Sequence, residues 1–263
     1  MIYDMHTHSE HSHDSICPVS EMAESIKEKG LSGFAVTDHC DIEFFHETDL
    51  DTIIQGSLAD AKRFHALRGI EIGEGIWYPE VTRRILSAYS FDVVIGSVHA
   101  VRFPDYEIPF SKINFANMPK NLILPYLDQY FDDMLSMIRT MDFDILAHII
   151  CPLRYINDRY HLDVTLDAFQ EKIHVILKEI IARKIALEVN TSRYAENPAA
   201  IEQDREILKT YRAEGGELLT LASDAHVSKN AANAFLEYLE MIKNCGFMSI
   251  YYYQNRQAIL CEI

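Results

Sequence analysis

Phe91-Asp92-Val93-Val94-Ile95-Gly96-Ser97-Val98-His99 is the stretch that decides the architecture. Phe91–Val98 reads as a strand that is apolar on both faces, and a histidine stands where it ends. Such runs belong to parallel sheets covered by helices. The pattern recurs in both directions along the chain, at Ile2–His6, Gly33–Thr37, Gly69–Ile72, Phe143–His148, Ile185–Asn190 and Leu218–Ala222. Helical periodicity fills the gaps at Pro18–Lys29, Leu50–Leu67, Glu80–Ala88, Leu122–Thr140, Thr165–Arg183, Pro198–Arg212 and Asn230–Asn244. Pro18 opens the first of these and Gly30 stops it, the usual asymmetry of helix ends.

Seven alternations of strand and helix without a linker predict one domain over residues 1–263. The expected fold is α/β, a closed or nearly closed barrel. An open doubly wound sheet would draw its site from two or three strands at one switch point. Here candidate ligands end six of the seven strands, and Asn190 ends the other. A barrel brings all those ends to one rim. The longest stretch without periodicity, Arg102–Asn121, carries Phe103, Tyr106, Phe110 and Phe115. A loop of that length is usually functional, and it is expected as a flap over the barrel mouth.

The bulk composition narrows the function. At 263 residues, with 48% hydrophobic and 24% charged, the chain can bury a substantial core, removing roughly 70–75% of its unfolded surface from water. A net charge of −16 works against gripping nucleic acid, whose phosphates need a basic surface. Part of the acidic excess can face metal ions. No run of about 18 apolar residues is present, so no transmembrane helix is expected. Met1–His6 lacks the basic and apolar regions of a signal peptide, so a cytoplasmic protein is expected. Five cysteines, odd in number and without a CxxC pair, read as free thiols.

The strand ends carry the chemistry. His6 and His8 project to one face of the first strand and can bind one ion together. Asp14, in the loop Ser9-Glu10-His11-Ser12-His13-Asp14, can supply another ligand, with His13 one residue away as its rival. Thr37-Asp38-His39 ends the second strand, and Asp38 can orient the site from behind. Glu71 lies in an apolar third strand, where an unpaired carboxylate is costly. A bridge between two cations would satisfy both its oxygens. Glu74 is read as lying on the opposite face or in the turn. His99 and His148 end the fourth and fifth strands, and Ser223-Asp224-Ala225-His226 ends the seventh. Imidazoles and carboxylates together suit zinc, iron or manganese. His46, His65, His161 and His174 fall outside this pattern and are read as ordinary residues.

Six ordered motifs spanning almost the whole chain resemble those of the PHP (polymerase and histidinol phosphatase) superfamily. They run from Asp4-Met5-His6-Thr7-His8 through Thr37-Asp38-His39, Gly69-Ile70-Glu71, Gly96-Ser97-Val98-His99 and Leu146-Ala147-His148 to Ser223-Asp224-Ala225-His226. The resemblance implies a distorted seven-stranded (β/α)7 barrel of the PHP type and a site for three divalent ions. It implies His6, His8, Glu71 and Asp224 for the first ion, and Asp14, His39 and His226 for the second. Glu71 as a bridge, with His99 and His148, is implied for the third. Within the superfamily the chain is most similar to the histidinol-phosphate phosphatases. The likeness rests on a PHP domain of this size standing by itself, on Arg154 shortly after His148, and on Ala186-Leu187-Glu188-Val189-Asn190-Thr191-Ser192-Arg193.

That likeness implies a small phosphate ester, L-histidinol phosphate, as substrate, held by Arg154 and Arg193, with Asp224 or His226 passing a proton to the leaving alkoxide. A fork-shaped guanidinium suits a phosphate dianion. Ser192-Arg193-Tyr194 departs from the Gly-Leu-Arg form of that family, which bears on Arg193 and on the substrate. Glu43, Glu47 and Asp105 are the acids considered for the substrate's ammonium. The alternatives are a phosphoesterase or phosphodiesterase acting on another ester, and a non-catalytic module built on the same cluster. Amidohydrolases also begin with His-x-His and end with Asp, but they call for lysine where this chain has His99.

Overall fold

A computed structural model describes residues 1–42 and 47–263, apart from the side chains of Glu47 and Thr48. Eight parallel strand segments form the sheet: β1 (Tyr3–Thr7), β2 (Gly33–Val36), β3 (His39–Asp41), β4 (Leu67–Gly73), β5 (Val93–Ser97), β6 (Ile145–Leu146), β7 (Ala186–Asn190) and β8 (Leu219–Ala222). They run in the order β1-β2-β4-β5-β6-β7-β8, with β3 also pairing β4. The expected second strand is thus one barrel position in two pieces. Ala35 and Val36 pair with Leu67 and Arg68, and His39, Cys40 and Asp41 pair with Glu71, Ile72 and Gly73. The ring closes where a parallel bridge joins Thr7 to Ala225. There His8 N donates to Ala225 O and Asp224 N to His6 O, each at 2.9 Å. The result is the nearly closed seven-position barrel expected from the strand pattern.

Helices α1 (Val19–Glu28), α2 (Glu47–Arg63), α3 (Pro79–Ala88), α4 (Lys120–Thr140), α5 (Gln170–Arg183), α6 (Ala200–Ala213) and α7 (Phe235–Asn244) cover the barrel. Three of them differ from the expected bounds by more than two residues. The chain leaves α2 after Arg63 because Leu67 already begins β4. A 3-10 turn at Asp167–Phe169 precedes α5. Ala232 and Ala234 take positive φ ahead of α7, which therefore starts only at Phe235. None of the helices among the described residues is long and apolar enough to cross a membrane.

No strand is expected from the sequence after Ala222, yet β9 (Ser249–Gln254) and β10 (Gln257–Glu262) form a hairpin there. Asn255 and Arg256 make its two-residue turn with φ of 50° and 62°. That geometry usually carries Asn-Gly, so Asn-Arg hid it. The hairpin sends Tyr253 into the barrel cluster of Met5, Ala35, Val93, Ile95 and Ile145. Tyr252 stacks on Tyr3 with ring centroids 4.1 Å apart.

The aromatic stretch after β5 is a packed wall rather than a loose flap. Phe110 and Phe115 are buried and meet Tyr126 of α4 edge-on at 6.1 and 5.6 Å. Phe103 meets the same ring at 5.5 Å. This packing presents Pro109, Phe110 and Ser111 to the barrel mouth.

Candidate metal centre

Glu71 is the hub. It sits in β4 opposite His39 of β3 and Ile95 of β5 and is fully buried. Its Oε2 faces Nδ1 of His39 at 2.8 Å, Nε2 of His6 at 3.3 Å and Nε2 of His8 at 3.7 Å. Its Oε1 faces Nε2 of His148 at 3.0 Å and Nε2 of His99 at 3.2 Å. The two oxygens of one carboxylate thus serve two separate imidazole groups. A third group stands at the mouth: His226 Nε2 lies 3.2 Å from Asp14 and 3.4 Å from His39 Nε2, and Asp14 lies 3.5 Å from that same His39 nitrogen. His13 lines the same cavity, its ring centroid 5.1 Å from that of His39.

Outer partners fix how each ring points. His6 Nδ1 donates to Glu188 Oε1 at 2.6 Å, His99 Nδ1 to Asp41 Oδ1 at 3.0 Å, and His226 Nδ1 to the Asp224 carbonyl at 2.9 Å. Ser12 Oγ donates its single proton to Asp38 at 2.8 Å, so it accepts from His8 Nδ1 at 3.0 Å. With Nδ1 the donor in each ring, the hydrogen-bond network leaves Nε2 a bare lone pair when the ring is neutral. The Nε2 atoms converge, with that of His148 among them: His6 and His8 Nε2 are 3.0 Å apart, and His99 and His148 Nε2 are 3.3 Å apart. Nitrogens sharing one tetrahedral ion at 2.0–2.1 Å stand roughly 3.3 Å from each other. Glu71 Oε2 and His39 Nδ1, 2.8 Å apart, are buried without forming a well-aligned hydrogen bond, and His148 Nδ1 is buried without a hydrogen-bond partner. Converging lone pairs and orphaned polar atoms are what a set of cations would satisfy, so the residues fit divalent ions.

The electrostatics agree. Burial opposes charge on His6, but the carboxylates of Glu71, Glu188 and Asp224 outweigh it and hold its pKa well above the ordinary value. Asp41 and Glu71 do the same for His39 and His99 against the same burial. His8 goes the other way, down to about 3, because burial and the His226 and His39 rings all oppose its charge. The cluster calls for positive charge, whether protons or metal ions carry it.

Several supporting groups, Glu188, Asp41 and Asp4 among them, are not singled out by the sequence pattern. Glu188 of β7 holds His6 and also accepts from His148 N at 2.7 Å and Asn190 Nδ2 at 2.9 Å. Its signal was an acid inside an apolar strand, the same signal that marks Glu71. Asp41 lies two residues beyond His39 on the same strand face, a spacing that could have found it. Gly73 is needed beside it, since a Cβ there would come within 2.3 Å of the Asp41 carboxylate. Glu74 does lie in the turn after β4, as expected, but its Oε1 accepts from the backbone N–H of His99 at 2.6 Å and of Ala100 at 2.8 Å. Burial and the nearby Asp41 push its pKa up to about 8. Asp38, expected from the sequence to orient the site from behind, holds Ser9, Ser12 and Ser57, and through Ser12 it orients His8. Asp4 ties β1 to the segment after β8 by accepting from the backbone N–H groups of Ser223 and Ala232. Asp224 takes a φ of 52°, in the left-handed region that Asp tolerates better than most residues.

The two arginines lie in different settings. Arg154 opens a π-helical turn, Arg154–Arg159, and lines the cavity above the cluster together with Asp224, His226 and Tyr155. Its ion pair to Glu196 spans 3.3 Å. Arg193 is buried, and its fork is filled: Nε and Nη2 donate to Asp158 at 2.7 and 3.0 Å, and Nη1 to Gln203 at 3.0 Å. Asp105 is not among the residues lining the mouth. Glu43 and His46 lie outside the described residues, as does the side chain of Glu47.

The PHP domain family matches residues 4–192. A probable histidinol-phosphatase of Clostridium acetobutylicum is 28% identical over 257 residues, covering 96% of this chain and 97% of that protein. The histidinol-phosphatase of Lactococcus lactis is 24% identical over 259 residues, covering 93% of this chain and 91% of its own length. The crystal structure of histidinol phosphate phosphatase from Lactococcus lactis, complexed with zinc, L-histidinol and phosphate, superposes with a TM-score of 0.80 at 20% identity. That superposition covers 98% of both chains.

Proposed function

Because this chain belongs to the PHP domain family, we propose that residues 1–263 act as one metal-dependent phosphate monoester hydrolase domain whose substrate is L-histidinol phosphate. The observation that carries the reading is Glu71, whose two oxygens face two imidazole groups directly beneath a cavity that Arg154 lines. The relatives named histidinol-phosphatase, which align over nearly the whole chain, support the choice of substrate.

His6, His8, Glu71 and Asp224 would hold one divalent ion, Asp14, His39 and His226 a second, and Glu71, His99 and His148 a third; their donor set suits zinc, iron or manganese. Such ions lower the pKa of water toward about 7 and offset charge on phosphoryl oxygens. The chain's own groups do the positioning. Glu188, Asp41 and Ser12 keep Nε2 of His6, His99 and His8 aimed inward. Arg154 offers its fork to the phosphoryl oxygens. Arg193 acts one step back, clamping Asp158 and with it the turn that bears Arg154. Asp224 and His226 are the two candidates for moving a proton to the leaving oxygen, and both line the cavity with Arg154. Both are engaged in the cluster, Asp224 Oδ1 with His8 Nε2 at 3.1 Å and His226 with Asp14 and the Asp224 carbonyl. Pro109 and Phe110 wall that cavity and limit water on one side.

The test is phosphate release from L-histidinol phosphate before and after chelation, with elemental analysis of the same sample. Release that chelation abolishes and metal restores is expected. Inactivity on this ester alongside turnover of another would favour the second reading, a phosphoesterase for a different small ester. The engagement of Arg193 with Asp158 speaks for that reading.

A further inference from the structure

Two cavities meet at the mouth. The inner one, about 80 Å³, reaches the imidazole cluster. The outer one, about 190 Å³, shares Asp14, Ser111, Arg154, Tyr155 and His226 with it and adds only Arg159 and Glu196. A phosphoryl group held over the cluster by Arg154 leaves the alcohol portion of the ester to the outer cavity. Four carboxylates line the two spaces. Asp14 faces His39 and His226, Asp41 faces His99, and Asp224 faces His6 and His8. Among the described lining residues, Glu196 is the carboxylate that faces no imidazole of the cluster.

We infer that Glu196 is the specificity-determining residue of an outer subsite, where it binds the ammonium of a cationic leaving alcohol. This deepens the reading above and rests on it. Glu196 is free enough to do so. Its side chain is 55% exposed, and its contact with Arg154 Nη2 is 3.3 Å, longer than the usual charge-assisted bond. The guanidinium of the other new member, Arg159, lies over the Tyr155 ring, 5.5 Å from its centroid. Arg159 therefore sits on Tyr155 and Arg154 on Glu196, and an ammonium entering the outer cavity meets Glu196 in exchange for part of that long Arg154 contact.

The experiment compares L-histidinol phosphate with p-nitrophenyl phosphate, an aromatic monoester without an ammonium, in the metal-loaded wild type, Glu196→Gln and Glu196→Asp. Loss of a partly exposed charged hydrogen bond is worth about tenfold. The ratio of kcat/KM for the ammonium-bearing ester to that for the ester without one should therefore fall about tenfold in Glu196→Gln, mainly through KM, and recover in part in Glu196→Asp. An unchanged ratio, whether both substrates suffer equally or neither does, overturns the inference; an equal loss would mean that Glu196 acts only by holding Arg154. A wild type that turns over p-nitrophenyl phosphate but not L-histidinol phosphate overturns the proposed substrate itself, and the inference with it.

Discussion

Glu71 concentrates the chemistry of this chain in one side chain. A buried carboxylate is tolerated only where its charge is matched, and here five imidazoles approach within 3.7 Å of its two oxygens. If it bridges, Glu71→Ala loses more than one ion per chain and at least about a thousandfold in activity, since metals act both on water and on phosphoryl charge. Elemental analysis of the purified variant checks this, and loss of a single ion would show that the carboxylate does not bridge. Glu188 matters for a different reason. It touches Nδ1 of His6 rather than the converging nitrogens, so it sets direction and basicity. An isolated apolar strand with one acid reads the same in both cases, and only the neighbouring strands tell hub from support.

At the scale of elements, the π-helical turn Arg154–Arg159 is the piece that joins scaffold to substrate. It carries Arg154 and Arg159 at the mouth and Asp158 on its inner side, where Arg193 grips it. Arg193 and Asp158 have side chains 8% and 1% exposed, and removing one partner of a buried pair costs about 3–5 kcal/mol. Arg193→Ala should therefore lower Tm by about 10 °C, whereas Arg154→Ala should lower kcat/KM with little change in Tm. Thermal melts and kinetics on both variants separate the roles; a stable Arg193→Ala with only a KM defect would return Arg193 to direct phosphate contact. The split between β2 and β3 has a comparable use. Interrupting the strand before His39 lets Asp38 turn to Ser9, Ser12 and Ser57 while His39 and Asp41 rejoin β4 opposite Glu71 and Gly73.

Across the whole molecule, metal loading and protonation compete for one cluster. Carboxylates hold His6, His39 and His99 protonated above their ordinary pKa in the metal-free protein. Ligation requires neutral imidazoles, so metal uptake at pH 7 should release more than one proton per chain, and affinity should weaken as pH falls. Calorimetric titration of the metal-free protein in buffers of different ionisation heat reads this directly; a binding heat independent of buffer would contradict it. Much of this was legible in the chain itself. Apolar runs ending in His6, His99 and His148 specify both a parallel sheet and a common rim, because strand period and burial are local properties. Residues two apart, such as His6 and His8 or Asp224 and His226, needed no further information to share a face. Tertiary structure alone decided which partner each group meets. It paired Glu188 with His6 across 182 residues and Arg193 with Asp158 across 35, and it placed Tyr253 of the C-terminal hairpin in the barrel cluster. Periodicity records which way a side chain points, whereas the charge or hydrogen bond waiting there is supplied by a strand distant in sequence and adjacent only once the barrel has closed.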